Sequence, residues 1–247
     1  MLTKESAHFH SQVSARMLEL SVGLPSPSQQ VVEKLLAGQG LRRTLVEACA
    51  GHTPAAALPP VVTHFAVRAA SIVELLHLAS QLHEDAGTEV ELLTRVALFG
   101  LAAKEAAELG QTVSETVAAT AADLARGQLL DVQRTFDSGF SLSDYEELAR
   151  QKTGQLLRLA CVLGGQVAGR SLADLEVLGR FGMELGAAVQ TLDDAFELEL
   201  ALGGPEEARE LAGAYFRRAL AQLDELGDEQ VRERIVVVAR TEWVKLQ

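Results

Sequence analysis

The chain has 247 residues and a net charge of −12; 48% of its residues are hydrophobic but only 4% are aromatic. Leu, Ala and Val therefore make up the apolar mass, the composition of packed helices rather than of sheets. The negative charge excludes nucleic acid as a partner, because phosphate contacts need a basic footprint. It leaves open a phosphorylated ligand held through a divalent cation, for which clustered carboxylates are the usual receptor.

No proline lies between Pro60 and Pro205, so long uninterrupted helices can run through the centre, and an all-α fold is expected over one domain, residues 1–247. In chain order, residues 1–22 read as an amphipathic helix closed by Pro25-Ser26-Pro27, followed by a helix over 29–37. Gly38-Gln39-Gly40 separates it from a helix over 41–50, and residues 51–60 form a loop. Apolar residues then recur at helical spacing through Ile72, Leu75, Leu76, Ala79 and Leu82, with a stop at Asp85-Ala86-Gly87. Further helices are expected over 90–109, 112–136, 144–168, 173–202, 206–226 and from about 228 to the end. Ser143 and Glu146 have the spacing of a capping box. Cys49 and Cys161 have no paired spacing and read as buried thiols of a reducing compartment. With no signal-type apolar region and no run of roughly 18 uninterrupted apolar residues, the expected location is the cytoplasm.

Residues 186–197 carry the strongest chemical signal. At 100° per residue Gln190, Asp193, Asp194 and Glu197 share one side of an otherwise apolar helix. Asp is a poor helix former, and carboxylates this close repel unless a cation lies between them. A Mg²⁺ site bridging to a diphosphate and a plain solvated acidic stripe both fit this pattern. A second polar face joins His77, Gln81, Glu84 and Asp85, at offsets of four, seven and eight. Lys152 and Thr153 fall in mid-helix, where an inward lysine needs an anion and an outward one is merely solvated. Gly127, next to Gln128 and Asp131, is suited to the close approach of a neighbour or ligand.

Taken together these segments resemble the trans-isoprenyl diphosphate synthase, or polyprenyl synthetase, family. The run from Val73 to Asp85 resembles the helix ending in its first aspartate-rich motif. Gly127-Gln128-Leu129-Leu130-Asp131 resembles its mid-chain Gly-Gln helix, and Tyr145 with Gln151-Lys152-Thr153-Gly154-Gln155-Leu156 its Tyr…Lys-Thr segment. Gly186, Gln190 and Asp193-Asp194-Ala195-Phe196-Glu197 resemble its second aspartate-rich motif. The resemblance implies a helical bundle around a deep central cavity and a homodimer. It also implies metal ligation by Glu84, Asp85, Asp193, Asp194 and Glu197, and catalytic roles for Lys152, Gln190 and Asp193. Arg43, His77, Gln81, Gln128, Lys152 and Gln190 would bind substrate. An allylic prenyl diphosphate, gripped through Mg²⁺, would ionise, and an acceptor double bond would attack the cation.

The departures are as specific. The first motif, normally Asp-Asp-x-x-Asp, reads Glu84-Asp85-Ala86-Gly87-Thr88. The arginines that usually follow it are absent and the stretch to Gly100 is short. The family's Gly-Gly-Lys-Arg-x-Arg-Pro signature is reduced to Gly38-Gln39-Gly40-Leu41-Arg42-Arg43-Thr44, leaving Gly40 and Leu41 where basic residues normally hold the diphosphate of isopentenyl diphosphate. The segment after Glu197 is short and lacks the family's lysines. This pattern is similar to that of moenomycin-type antibiotic biosynthesis within the family, where a geranyl unit is added to a prenylated phosphoglycolipid. It implies a lipid or prenylated acceptor, with peripheral membrane contact left open. The alternatives are a non-catalytic subunit of an active synthase and a class I terpene cyclase; the scarcity of aromatic residues weighs against the cyclase.

Overall fold

The computed structural model describes residues 4–35, 40–51, 59–82, 88–134, 141–194 and 204–246. Among them all regular structure is helical: α1 (Lys4–Ser21), α2 (Ser26–Leu35), α3 (Leu41–Cys49), α4 (Pro60–Gln81), α5 (Glu89–Leu109), α6 (Gln111–Arg134) and α7 (Leu142–Ala149). A π-helical turn (Arg150–Gly154) joins α7 to α8 (Gln155–Val167); α9 (Leu172–Asp193), α10 (Pro205–Gln222) and α11 (Glu229–Leu246) follow.

Local chemistry sets most boundaries. Thr88 opens α5 with a capping box to Glu91, and Ser171 opens α9 by accepting from the Asp174 N–H. Gly110, at φ 103°, reverses the chain between α5 and α6 in a conformation other residues rarely adopt. The helix expected from residue 144 starts two residues earlier. Its capping box is Ser141 with Asp144, not Ser143 with Glu146, because Ser141 holds the extended backbone a cap requires while residue 143 is already helical. The second helix likewise starts at Ser26, with Pro27 in its first turn, where a missing N–H costs nothing.

α4 and α8 form the centre of the bundle. α4 packs against α1, α3, α5 and α8; from Ala69 to Leu76 every residue is buried, and apart from Ser71 and Glu74 this stretch is apolar all round. Its length and composition would suffice for a bilayer crossing, but here other helices bury just over half of that stretch. One apolar cluster runs from Phe9 of α1 to Trp243 of α11. Two buried carboxylates are held within it by arginines. Glu105, 1% exposed, accepts from Arg16 Nη2 at 2.6 Å and Arg68 Nη2 at 3.3 Å. Glu74, 3% exposed, faces Arg42 at 3.2 Å and Arg43 at 3.5 Å. Such pairs tie α1, α3 and α5 to α4, and removing one partner would leave an uncompensated buried charge.

The expected single helix over 144–168 is interrupted by the π turn. The reason lies in its neighbours. A Cβ added at Gly127 of α6 would come within 2.9 Å of Gln151 Cβ, and one at Gly186 of α9 within 2.5 Å of Gly154 Cα. Glycine on both flanking helices lets backbone pack against backbone around a turn wider than an α-helical one.

Gly186→Ala is therefore expected to destabilise the fold by about 1–3 kcal/mol through overpacking, lowering Tm by roughly 2–10 °C. Gly100, on α5 with nothing within 4 Å of an added Cβ, is the control: Gly100→Ala should leave Tm unchanged or raise it slightly. Thermal unfolding of the two variants checks both.

Candidate active site

The π turn presents Lys152 and Thr153 to the helices on either side. Lys152 Nζ donates to Asp131 Oδ2 of α6 at 2.8 Å, and both side chains are largely buried. Thr153 donates to Gln190 Oε1 of α9. Gln190 Nε2 in turn donates to Asp194 Oδ1 at 2.9 Å, and the Tyr145 hydroxyl of α7 donates to Asp194 Oδ2 at 3.1 Å. The same hydroxyl lies 3.4 Å from Thr191 Oγ1. A continuous polar chain thus runs from the π turn to the end of α9 and orients Asp194 through both its oxygens. Burial, followed by the Asp194 charge, pushes the Tyr145 hydroxyl far above its ordinary range, so it remains a donor.

Asp193 and Asp194 are not in mid-helix as expected: Asp193 is the last residue of α9 and Asp194 its C-cap. This is the negative end of the helix dipole, the least favourable helical position for two carboxylates. Asp193 is solvent-exposed, yet desolvation from the surrounding chain, then the charge of Asp194, raises its carboxyl above the ordinary value. Two adjacent carboxylates, one oriented and one raised, are a donor set that a divalent cation suits, since the cation relieves the repulsion and the dipole penalty together. Glu84, Asp85 and Glu197 lie outside the described residues. Among the described residues no three metal-ligating side chains cluster.

Gln128, next to Gly127, is 5% exposed, and its Oε1 has no hydrogen-bond partner among the described residues; the same holds for Oε1 of Gln151 and Gln155. Buried amide oxygens are seldom unpartnered, and these border the contact between α6 and the π turn. The remaining candidates form a second group on α3 and α4. Arg43 is buried, facing Glu74 and donating from Nη1 to Ser14 Oγ at 2.8 Å. Burial and then the nearby Arg42 charge hold His77 well below the ordinary imidazole range, so it is neutral. Gln81, one turn further along α4, is exposed.

Sequence reasoning missed Tyr145, Thr191 and Asp131 as partners in this network. Tyr145 and Asp131 were visible as motif members, but their contacts span 49 and 21 residues, and no helical period connects them. It also missed Glu74, a lone carboxylate in an apolar helix, as the partner of Arg42 and Arg43, the latter read instead as a substrate-binding residue.

The raised Asp193 carboxyl has a definite sign. Its stability contribution is present below the ordinary carboxylate range and lost as pH rises through the raised value. Asp193→Asn is therefore expected to raise Tm of the metal-free protein at pH 7 by about 1–3 °C. The gain should vanish near pH 3; a lower Tm at pH 7 would contradict this account.

Residues 86–202 match the Polyprenyl synthetase family. Among curated relatives, the chain is 28% identical over 172 residues to nonaprenyl diphosphate synthase of Mycobacterium tuberculosis, an alignment covering 63% of this chain and 50% of that protein. It is 27% identical over 187 residues to heptaprenyl diphosphate synthase component 2 of Geobacillus stearothermophilus, covering 67% and 58% respectively. The chain thus spans about half the length of the curated relatives it matches. Its fold superposes on a polyprenyl synthetase from Streptomyces coelicolor with a TM-score of 0.81 at 18% identity, covering 95% of this chain and 97% of that one. A polyprenyl synthase from Caulobacter crescentus, complexed with calcium and isoprenyl diphosphate, superposes with a TM-score of 0.77 at 25% identity over 94% of each chain. Over residues 86–202 the chain is similar to the Polyprenyl synthetase family, and it shares the all-helical fold of the solved structures on which it superposes.

Proposed function

We propose that the chain is a prenyltransferase, working as one isoprenoid-synthase-like domain over residues 1–247. It would move an allylic prenyl group, geranyl in the reading favoured here, from its diphosphate to a non-standard lipid acceptor such as a prenylated phosphoglycolipid. The observation that carries the proposal is the network joining Lys152, Thr153, Gln190, Asp194 and Tyr145 around the π turn. A lysine with a carboxylate partner, an oriented aspartate and a second raised one at a helix C-terminus is costly for stability and is the kind of arrangement that functional sites hold.

In this reading Asp193 and Asp194, with Glu197, Glu84 and Asp85, would hold Mg²⁺, which would supply positive charge to a departing diphosphate. Lys152 turns from Asp131 to the diphosphate and stabilises the same charge. Gln190 and Thr153 keep Asp194 and the π turn in register. Gln128, whose amide can present its NH₂ group, borders the donor beside Lys152. His77 and Gln81 line the acceptor side, where Arg43 remains from the family's basic set but is engaged by Glu74. The loss of basic residues at Gly40 and Leu41 supports an acceptor other than isopentenyl diphosphate.

The homodimer implied by the family draws support from α5 and α6. Leu93 and Val96 on α5 and Leu129 and Val132 on α6 are 42–64% exposed, with exposed Ala103 and Ala122 continuing these stripes at helical spacing. Apolar stripes of this kind mark interaction surfaces. The unpaired Cys49 and Cys161 support a cytoplasmic location.

Incubation with geranyl diphosphate, Mg²⁺ and prenylated phosphoglycolipid or other lipid acceptors tests the proposal. Transfer is expected in wild type and a roughly 10²–10³-fold loss in Lys152→Ala, the scale on which one charge-stabilising group matters. Absence of transfer to every acceptor, together with activity appearing only on addition of an intact synthase, would favour a non-catalytic subunit instead.

A further inference from the structure

A cavity of about 250 Å³ lies between α8, α9 and α10, and none of the Lys152–Asp194 network lines it. Arg158 of α8 forms one wall, and glycines of α9 set its position. A Cβ added at Gly182 would lie 2.5 Å from Leu157 O and 2.7 Å from Arg158 Cα, so the two backbones touch where the Arg158 side chain leaves α8. One turn earlier, a Cβ at Gly179 would lie 3.5 Å from Arg158 Nε and 3.7 Å from its Cγ, so the side chain runs over bare backbone. Arg158 is partly buried and has no hydrogen-bond or ion-pair partner among the described residues. The carboxylates around it are engaged elsewhere. Glu184 accepts from Arg218 Nε at 2.9 Å with one oxygen and faces Arg150 at 3.5 Å with the other. Glu176 lies 3.3 Å from Arg180 but is 74% exposed, so its charge is largely screened by water. Arg180 donates from Nε to Gln222 Oε1 at 2.7 Å and from Nη2 to Glu225 at 2.5 Å. With its oxygen taken, Gln222 keeps an NH₂ group without an acceptor among the described residues. Donors thus outnumber acceptors on the cavity wall, and a partly buried guanidinium without an anion carries a desolvation cost that a bound oxyanion would offset.

We infer that this cavity is a binding site for a small oxyanion of the phosphate type, flanked by Arg158 and Arg180, with the Gln222 amide donating a further hydrogen bond. A guanidinium meets two oxygens of such an anion at once, and a tetrahedral ligand accepts from donors on three helices in different directions. Free phosphate and the phosphoryl group of a lipid head group share this chemistry. The cavity also adjoins the π turn: a Cβ added at Gly154 would lie 2.8 Å from Met183 Sδ, and Glu184 faces Arg150. Met183 and Glu184 both line the cavity, so it touches that turn without sharing a residue with the donor site. The inference does not depend on the prenyl-transfer reading.

Calorimetric titration of inorganic phosphate into the full chain, in a buffer without other oxyanions, tests this. Wild type is expected to bind saturably, and Arg158→Gln about tenfold or more weakly, the scale of one lost charge-assisted contact. Gly179→Leu fills the cavity while keeping both guanidiniums and should weaken binding as much. Arg240→Gln, at an exposed position on α11, should bind as wild type does. Lys152→Ala should also bind unchanged; loss of binding there would assign the phosphate to the donor site and overturn the inference. Absence of saturable binding in wild type, or binding indifferent to Arg158→Gln, overturns it equally. Should the cavity variants fail to fold, the Arg158 Nε–H resonance of wild type decides: a saturable shift with phosphate supports the site, and no shift overturns it. Glycerol 3-phosphate, titrated in the same way, separates the two sources. Binding as tight as phosphate or tighter supports a head group, and weaker binding supports the free ion.

Discussion

The site depends on the backbone contact among α6, the π turn and α9. Gly127 and Gly186 remove the side chains that would hold the three segments apart, and Gly154 supplies the third bare surface. The extra residue of the π turn changes which side chains face sideways at this level. Lys152 consequently meets Asp131 on one side while Thr153 meets Gln190 on the other.

From that contact the polar network extends to the end of α9. Gln190 links the π turn to Asp194, and Tyr145 fixes Asp194 from the other side. The buried arginine–carboxylate groups at Glu74 and Glu105 tie α1, α3 and α5 to the central α4. The two halves differ in electrostatic character. Near α9, carboxylates are crowded and one is raised; near α3, cations are already matched to a buried carboxylate, and His10 and His77 are neutral. The first half calls for a cation and a polyanionic ligand, and the second half does not.

Much of the fold was legible in the sequence. The boundaries around Gly40, Gly110 and Pro205 follow from residues whose backbone preferences act locally, and the apolar period through Ile72, Leu75, Leu76 and Ala79 identifies a core helix. The capping box was misplaced because Ser143-x-x-Glu146 and Ser141-x-x-Asp144 offer competing caps three residues apart in spacing and two in register, and only tertiary packing selects between them. The π turn was not legible, since residues 150–154 carry no local signal for an extra residue; the glycines that make room for it lie on α6 and α9. Asp193 and Asp194 were recognised as a pair but placed in mid-helix, because the apolar pattern continues beyond the point where α9 ends. The cavity beside Arg158 is assembled from three helices through tertiary packing and has no periodic trace.

The central claim is that the π turn and the end of α9 together form a diphosphate-binding donor site. A crystal structure of the protein soaked with an allylic thiodiphosphate and Mg²⁺ tests this most directly. The account predicts the diphosphate between Lys152 and the Asp193–Asp194 pair, with Lys152 released from Asp131. A diphosphate bound at the Arg42–Arg43 cluster, or Lys152 still paired with Asp131 in a saturated crystal, would contradict it.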